Sequence, residues 1–238
     1  MTIHIVMMGK GGVGKSLVST LLAEYLKETG SDLYCADTDP LTPTFHEYNA
    51  IGAEHISIMA KDSSIDKRKF DKLFEKLLVH TGDSVVDTGA TNFIALMEYL
   101  LQADIFGILA AHGKPVIVHA PLAGGSMMEH TLQGLDYLSE LKATSLVVWE
   151  NENWGPIIKN GKTFGESKFY EDIRARVIGI VKIAERTPDT FGHDMKTMIT
   201  KRLTFAEALD SPDFQTFSRS RLGIVRMDVF EQLEKLAM

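Results

Sequence analysis

The residues Gly9-Lys10-Gly11-Gly12-Val13-Gly14-Lys15-Ser16 follow an apolar run at 3–8 and open a segment of helical period. A phosphate-binding loop needs that arrangement. Glycine lets the backbone turn tightly and aim its N–H groups at phosphate oxygens, where a Cβ would crowd the ligand. Lys15 supplies a point charge for the β- and γ-phosphates, and Ser16 offers a hydroxyl to Mg²⁺. The helix behind them brings its positive dipole end under the anion. The expected ligand is a nucleoside triphosphate.

Two acidic stretches add what phosphoryl transfer requires. Val85-Val86-Asp87-Thr88-Gly89 reads as an apolar strand leading to a carboxylate that holds Mg²⁺ through its water shell. Asp37-Thr38-Asp39-Pro40 closes another strand, and Asp39 lies 24 residues after Lys15. That gap fits a helix of about four turns and a short strand. Either string alone is ordinary, since Asp-x-Asp-Pro also makes Asx turns. Their order behind the glycine loop gives them weight, because the reaction needs an in-line water held by an acceptor.

Lys10 narrows the reading further. KGGVGKS, followed in order by DTDP and VVDTG, resembles the deviant Walker A pattern of the ParA/MinD family of P-loop ATPases, and the resemblance covers roughly residues 1–155. It implies that Lys10 reaches the nucleotide of a second subunit, so that ATP joins two monomers face to face; a solvated loop lysine is the plain alternative. It also implies that Lys15 and Asp39 act with Lys10 in catalysis, Asp39 orienting the attacking water. Ser16, Asp37 and Asp87 would surround the metal. Gly9 through Ser16, with Leu17 and Gly89, would line the nucleotide, the last by letting a backbone N–H approach the γ-phosphate. The chain departs from the family where Leu41-Thr42-Pro43-Thr44 replaces the usual Gln after Asp-Pro, and where Thr88-Gly89 stands in place of the common Pro or Ser.

In that family an Asn after a late strand hydrogen-bonds adenine, which here points to Asn151 after Val147-Val148-Trp149-Glu150, with Asn153 two residues on. No Asn-Lys-x-Asp motif is present for guanine, so ATP is favoured. Trp154 is free to stack on the base, to meet a partner, or simply to pack. WENENWG together with KGGVGKS is also similar to plasmid-encoded ATPases of the conjugal-transfer TraL and plasmid-stability StbB type.

These residues must be carried on a scaffold. Apolar β-branched runs at 3–8, 32–37, 84–87, 115–119, 145–149 and 177–182 alternate with helical periods at 15–29, 66–80, 92–102 and 126–142, with two or more helices after Phe164. The pattern predicts an α/β fold: a mostly parallel central sheet with helices on both faces, as in P-loop NTPases, in a single domain over residues 1–238. In such sheets ligands sit beyond the carboxyl ends of the strands. The polar, glycine-rich segment 151–168 reads as a surface flap near the base.

At 238 residues, 45% hydrophobic and 24% charged, the chain has a soluble globular composition, with no 18-residue apolar run to span a membrane and no basic leader before the first strand. A cytoplasmic location is expected. Cys35 is the only cysteine, which excludes an intrachain disulfide and the cysteine clusters of iron–sulfur relatives. Net charge is −7, yet residues 174–226 carry 10 Lys/Arg against 6 Asp/Glu. Arg174, Arg176, Lys196, Lys201, Arg202, Arg219, Arg221 and Arg226 therefore form either a nonspecific DNA contact or a solvated face. The tail at 226–236 has an acidic polar face, which argues against an anionic membrane and for docking on the core or on a protein.

The function expected is a Mg²⁺-dependent ATPase switch that dimerises on ATP and is reset by slow, partner-stimulated hydrolysis. It would serve plasmid partition, conjugal transfer or the positioning of a cargo. The alternatives are a metabolic P-loop ligase activating a carboxylate or amide, and a nucleotide-gated binding module without hydrolysis.

Overall fold

In the computed structural model, which describes residues 1–236 and 238, strands β1 (Ile3–Val6), β2 (Leu33–Asp37), β3 (Glu54–His55), β4 (Asp83–Asp87), β5 (Val116–Ala123), β6 (Thr144–Asn151), β7 (Ile158–Lys159), β8 (Lys162–Thr163) and β9 (Val177–Ile183) follow one another along the chain. Seven of them form one parallel sheet in the order β3-β2-β4-β1-β5-β6-β9, while β7 and β8 make a separate hairpin. The central strands read as near-continuous apolar runs because both faces of a parallel sheet are covered.

Alternation along each strand divides the core in two. Ile3 and Ile5, Val118 and Ala120, and Leu146 and Val148 face α2 (Lys69–Val79), α3 (Phe93–Gln102), α4 (Ile105–Ala111), α5 (Met128–Leu138) and α6 (Lys168–Ile173). Val6, Ile117, Val147 and Trp149 belong to the opposite cluster, shared with α1 (Lys15–Glu28), α7 (His193–Thr200), α8 (Phe205–Asp210) and α9 (Thr216–Glu234). Amphipathic α2 buries Phe70, Leu73, Phe74 and Leu77 at the spacing read from the sequence. The tail docks on the core, since α9 buries Leu222, Val225, Val229 and Leu233. Glu24 of α1 accepts from the N–H groups of Phe205 (3.0 Å) and Ala206 (2.8 Å), capping α8 from across the core.

The structure corrects the expected elements in several places. Strand β5 continues through Ala120 and Pro121 to Ala123, beyond the expected end at 119. Pro121 is tolerated there because β5 has outrun β1, their register ending at Val6 and His119. Helix α4 and strand β3 were not anticipated; both are too short to show a period. The helix expected over 126–142 begins as a 3₁₀ turn and ends at Leu138. The flap holds the β7–β8 hairpin, turned at Asn160 and Gly161 with φ of 53° and 75°. Among the described residues no single helix is long and apolar enough to cross a membrane.

Candidate nucleotide-binding site

Beyond the carboxyl end of β1 the backbone passes through Gly9 to Gly14 and enters α1 at Lys15. Gly12 and Gly14 have φ of 77° and 100°, torsions that a side chain disfavours. Gly9 is required for a different reason: a Cβ there would lie 2.9 Å from the buried Phe93 ring. The Lys15 ammonium folds back across the loop to donate to Lys10 O at 3.3 Å. Burial lowers the Lys15 pKa, as expected for a cation placed where a phosphate would compensate it. The Lys10 side chain makes no ion pair with any described residue.

Sheet order assembles the acidic side of the site. Because β4 lies between β1 and β2, Asp87 is the register partner of both Val6 and Asp37. Ser16 Oγ donates to Asp87 Oδ2 at 2.6 Å, and Ser19 Oγ to Oδ1 at 2.8 Å. Ser19 escaped the sequence reading; its signal is its place three residues after Ser16, on the same side of α1. Burial first, and then the neighbouring Asp37 carboxylate, pushes the Asp87 carboxyl up to about 7. Asp37 is also raised by burial, although the N–H groups of Asp39 (2.9 Å) and His46 (3.0 Å) donate to it. Two buried carboxylates short of compensating charge, beside a serine hydroxyl, could hold Mg²⁺. That ion keeps several water and phosphate ligands and needs few protein atoms.

Asp39 lies at the rim. Its Oδ1 accepts from the N–H groups of Leu41 (3.0 Å) and Thr42 (3.1 Å), and Thr42 Oγ1 donates to Oδ2 at 3.3 Å. Gly89, after β4, is packed beneath this carboxylate. Thr88 Oγ1 donates to Val6 O at 2.8 Å, tying that loop to β1.

Asn151 lies beside the glycine loop. It is buried, its Nδ2 donates to Val13 O at 3.0 Å, and its Oδ1 accepts from Asn153 N (3.2 Å) and Nδ2 (2.9 Å). A Cβ on Gly14 would meet that amide at 2.9 Å. The exposed Asn153, with Leu17, Ile183, Ala184 and Phe191, lines a cavity of about 260 Å³ beside α1. That cavity, lined by Leu17 in the first turn of α1, could take a nucleobase. Trp154 is 45% exposed beside it in sequence.

Six of the eight basic candidates have a partner within the chain. Arg202 pairs with Glu47 and Arg221 with Asp194, each at 2.6 Å; Lys201 pairs with Asp213 at 2.5 Å, and Arg226 with Glu28. Arg176 donates to Ser139 O and Arg219 to Ser211 O. Arg202 and Arg226 tie the C-terminal region to Glu47 and to Glu28 of α1, whereas Lys201, Arg219 and Arg221 pair within that region.

Residues 4–210 match the CobQ/CobB/MinD/ParA nucleotide binding domain. The chain belongs to that family. Over its length it is 39% identical to one Escherichia coli protein TraL and 38% to another, with 99% of this chain and 98% of each relative covered. Among solved structures, the MinD cell division protein of Aquifex aeolicus aligns over 100% of this chain and 99% of its own at a TM-score of 0.52 and 12% identity. At that identity the likeness is one of fold: the parallel sheet, the glycine loop after β1 and the helices on both faces are those of a MinD-type P-loop domain.

Proposed function

We propose that this protein is a Mg²⁺-dependent ATPase switch that dimerises on ATP and acts in plasmid transfer or partition by engaging and releasing a protein partner in the cytoplasm. The observation that supports it best is convergence. Lys15, the Ser16–Asp87 pair and the Asp39 carboxylate surround one glycine loop, while the Lys10 side chain in that loop makes no ion pair with any described residue. Lys15 and the loop N–H groups bind the phosphates, and Ser16 and Asp87 hold the metal, which neutralises charge on the β- and γ-phosphates when bound. Asp39 orients a water in line with the γ-phosphate, and Lys10 completes the site of a second copy. The likeness to TraL proteins supports the plasmid role.

The test is molar mass in solution with ADP and with a nonhydrolysable ATP analogue, each with Mg²⁺, for the wild type and Lys10→Ala. A shift to dimer with the analogue alone, lost in Lys10→Ala, is expected. Unchanged mass in every state would favour a ligase or a simple binding module.

A further inference from the structure

Asn92 occupies the N-cap position of α3 yet makes no side-chain bond to that helix. An Asn at an N-cap ordinarily accepts from an N–H two or three residues on, worth about 1 kcal/mol. Here the fully buried side chain points the other way. Its Nδ2 donates to Thr38 O at 2.9 Å, and its Oδ1 has no hydrogen-bond partner in the protein. The orientation follows from Thr38 O, which can only accept. A buried acceptor left unmet costs about 1–3 kcal/mol, so both features work against stability and neither serves α3.

The carbonyl that Asn92 holds belongs to the peptide unit joining Thr38 to Asp39. The other groups of Thr38 are fixed from β4, its N and Oγ1 donating to Asp87 O at 3.0 and 3.1 Å. Three residues before Asn92, Gly89 lies against the Asp39 carboxylate, where an added Cβ would come within 2.9 Å of Asp39 Cγ. Segment 89–92 thus grips Asp39 twice, under its carboxylate and at the peptide before it.

We infer that Asn92 is a positioning residue that fixes the carboxylate of Asp39, an inference that rests on the proposed role of Asp39 in orienting the attacking water. Without the Asn92 amide the Thr38–Asp39 peptide can tilt, and the carboxylate swings with it. A misplacement of about 1 Å costs on the order of a hundredfold in rate.

Asn92→Ser separates positioning from helix capping, because serine caps α3 well but is too short to replace the amide on Thr38 O. Turnover, affinity for a nonhydrolysable ATP analogue, melting temperature and hydrogen exchange of the Leu41 and Thr42 amides are measured for the wild type, Asn92→Ser, Asn92→Ala and Asp39→Ala. For Asn92→Ser the expected result is a kcat about 10–100-fold lower, little change in analogue affinity, and faster exchange of the two amides that donate to Asp39. Exchange at Leu41 and Thr42 unchanged in both Asn92 variants overturns the inference, whatever their melting temperatures. If Asp39→Ala hydrolyses ATP like the wild type, the water-orienting role fails; the exchange result still decides whether Asn92 holds Asp39.

Discussion

The carboxylate of Asp39 lies against the backbone of Gly89, so close that a Cβ on Gly89 would sit 2.9 Å from Asp39 Cγ and 3.0 Å from its Oδ1. Position 89, two residues past the end of β4, is therefore glycine because of a side chain that arrives from the loop after β2. Gly89→Ala is expected to displace that carboxylate and lower kcat about 10–100-fold, while affinity for a nonhydrolysable ATP analogue changes little. Steady-state hydrolysis with analogue titration checks this, and wild-type turnover in Gly89→Ala would show that the carboxylate does not need its place.

Asn151 supports the phosphate loop through Val13 O. Asn151→Ala removes one buried hydrogen bond, worth about 1 kcal/mol, or roughly a fivefold loss of affinity. The loss should be equal for ATP, GTP and inorganic triphosphate, since the loop and not the base is disturbed. Calorimetric titration with the three ligands distinguishes the roles; a loss confined to ATP would return Asn151 to the adenine edge.

Buried His4 and His119 make stability acid-sensitive. His4 Nδ1 lies 3.0 Å from His119 Nε2, and Trp149 Nε1 donates to His119 Nδ1 at 3.0 Å. Burial brings His4 down to about 4 and His119 well below its ordinary value of 6.5. Between pH 6.5 and 4 the unfolded chain therefore binds protons that the folded chain refuses, so stability falls as pH falls through that window. Each such histidine contributes about 1.4 kcal/mol per pH unit. Asp87, raised to about 7, acts oppositely: the folded chain keeps a proton that the unfolded chain has released above pH 3.8. Asp87→Asn removes this opposing contribution, so without nucleotide its stability should fall more steeply on acidification than that of the wild type. Urea unfolding at pH 7, 6 and 5 reads both slopes; parallel slopes would refute the assignment.

Arg221 and Arg226 are expected to matter for stability more than for DNA. Replacing either with Ala breaks a charge-assisted hydrogen bond, to Asp194 or Glu28, at about 1.5–3 kcal/mol for the better buried pair with Asp194 and less for the other. Denaturant unfolding should register the loss, while nonspecific DNA binding with the ATP analogue stays weak and flat with salt. A steep salt dependence lost in Arg226→Ala at unchanged stability would restore a DNA-binding face.

Much of the site was legible because its chemistry is local. The glycine loop, Asp37 ending β2 with Asp39 beyond it, and Asp87 ending β4 with Gly89 beyond it are short strings, and apolar runs placed them at strand ends. Elements without a period were missed: α4, β3 and the strand extension through Pro121. Asn151 was legible by its position after a strand, while the bond of its amide to Val13 O depends on burial.

The sequence by itself determined a glycine loop after β1, carboxylates at the ends of β2 and β4, and a parallel sheet that carries them. Tertiary structure decided which groups meet. Only the strand order, with β4 between β1 and β2, sets Asp87 beside Asp37 and under Ser16 and Ser19. Only the approach of the loops after β2 and β4 reveals why position 89 is glycine and why Asn92 forgoes its helix. Those contacts join residues some 50 positions apart, and their pairing depends on burial and register, which spacing along the chain does not encode.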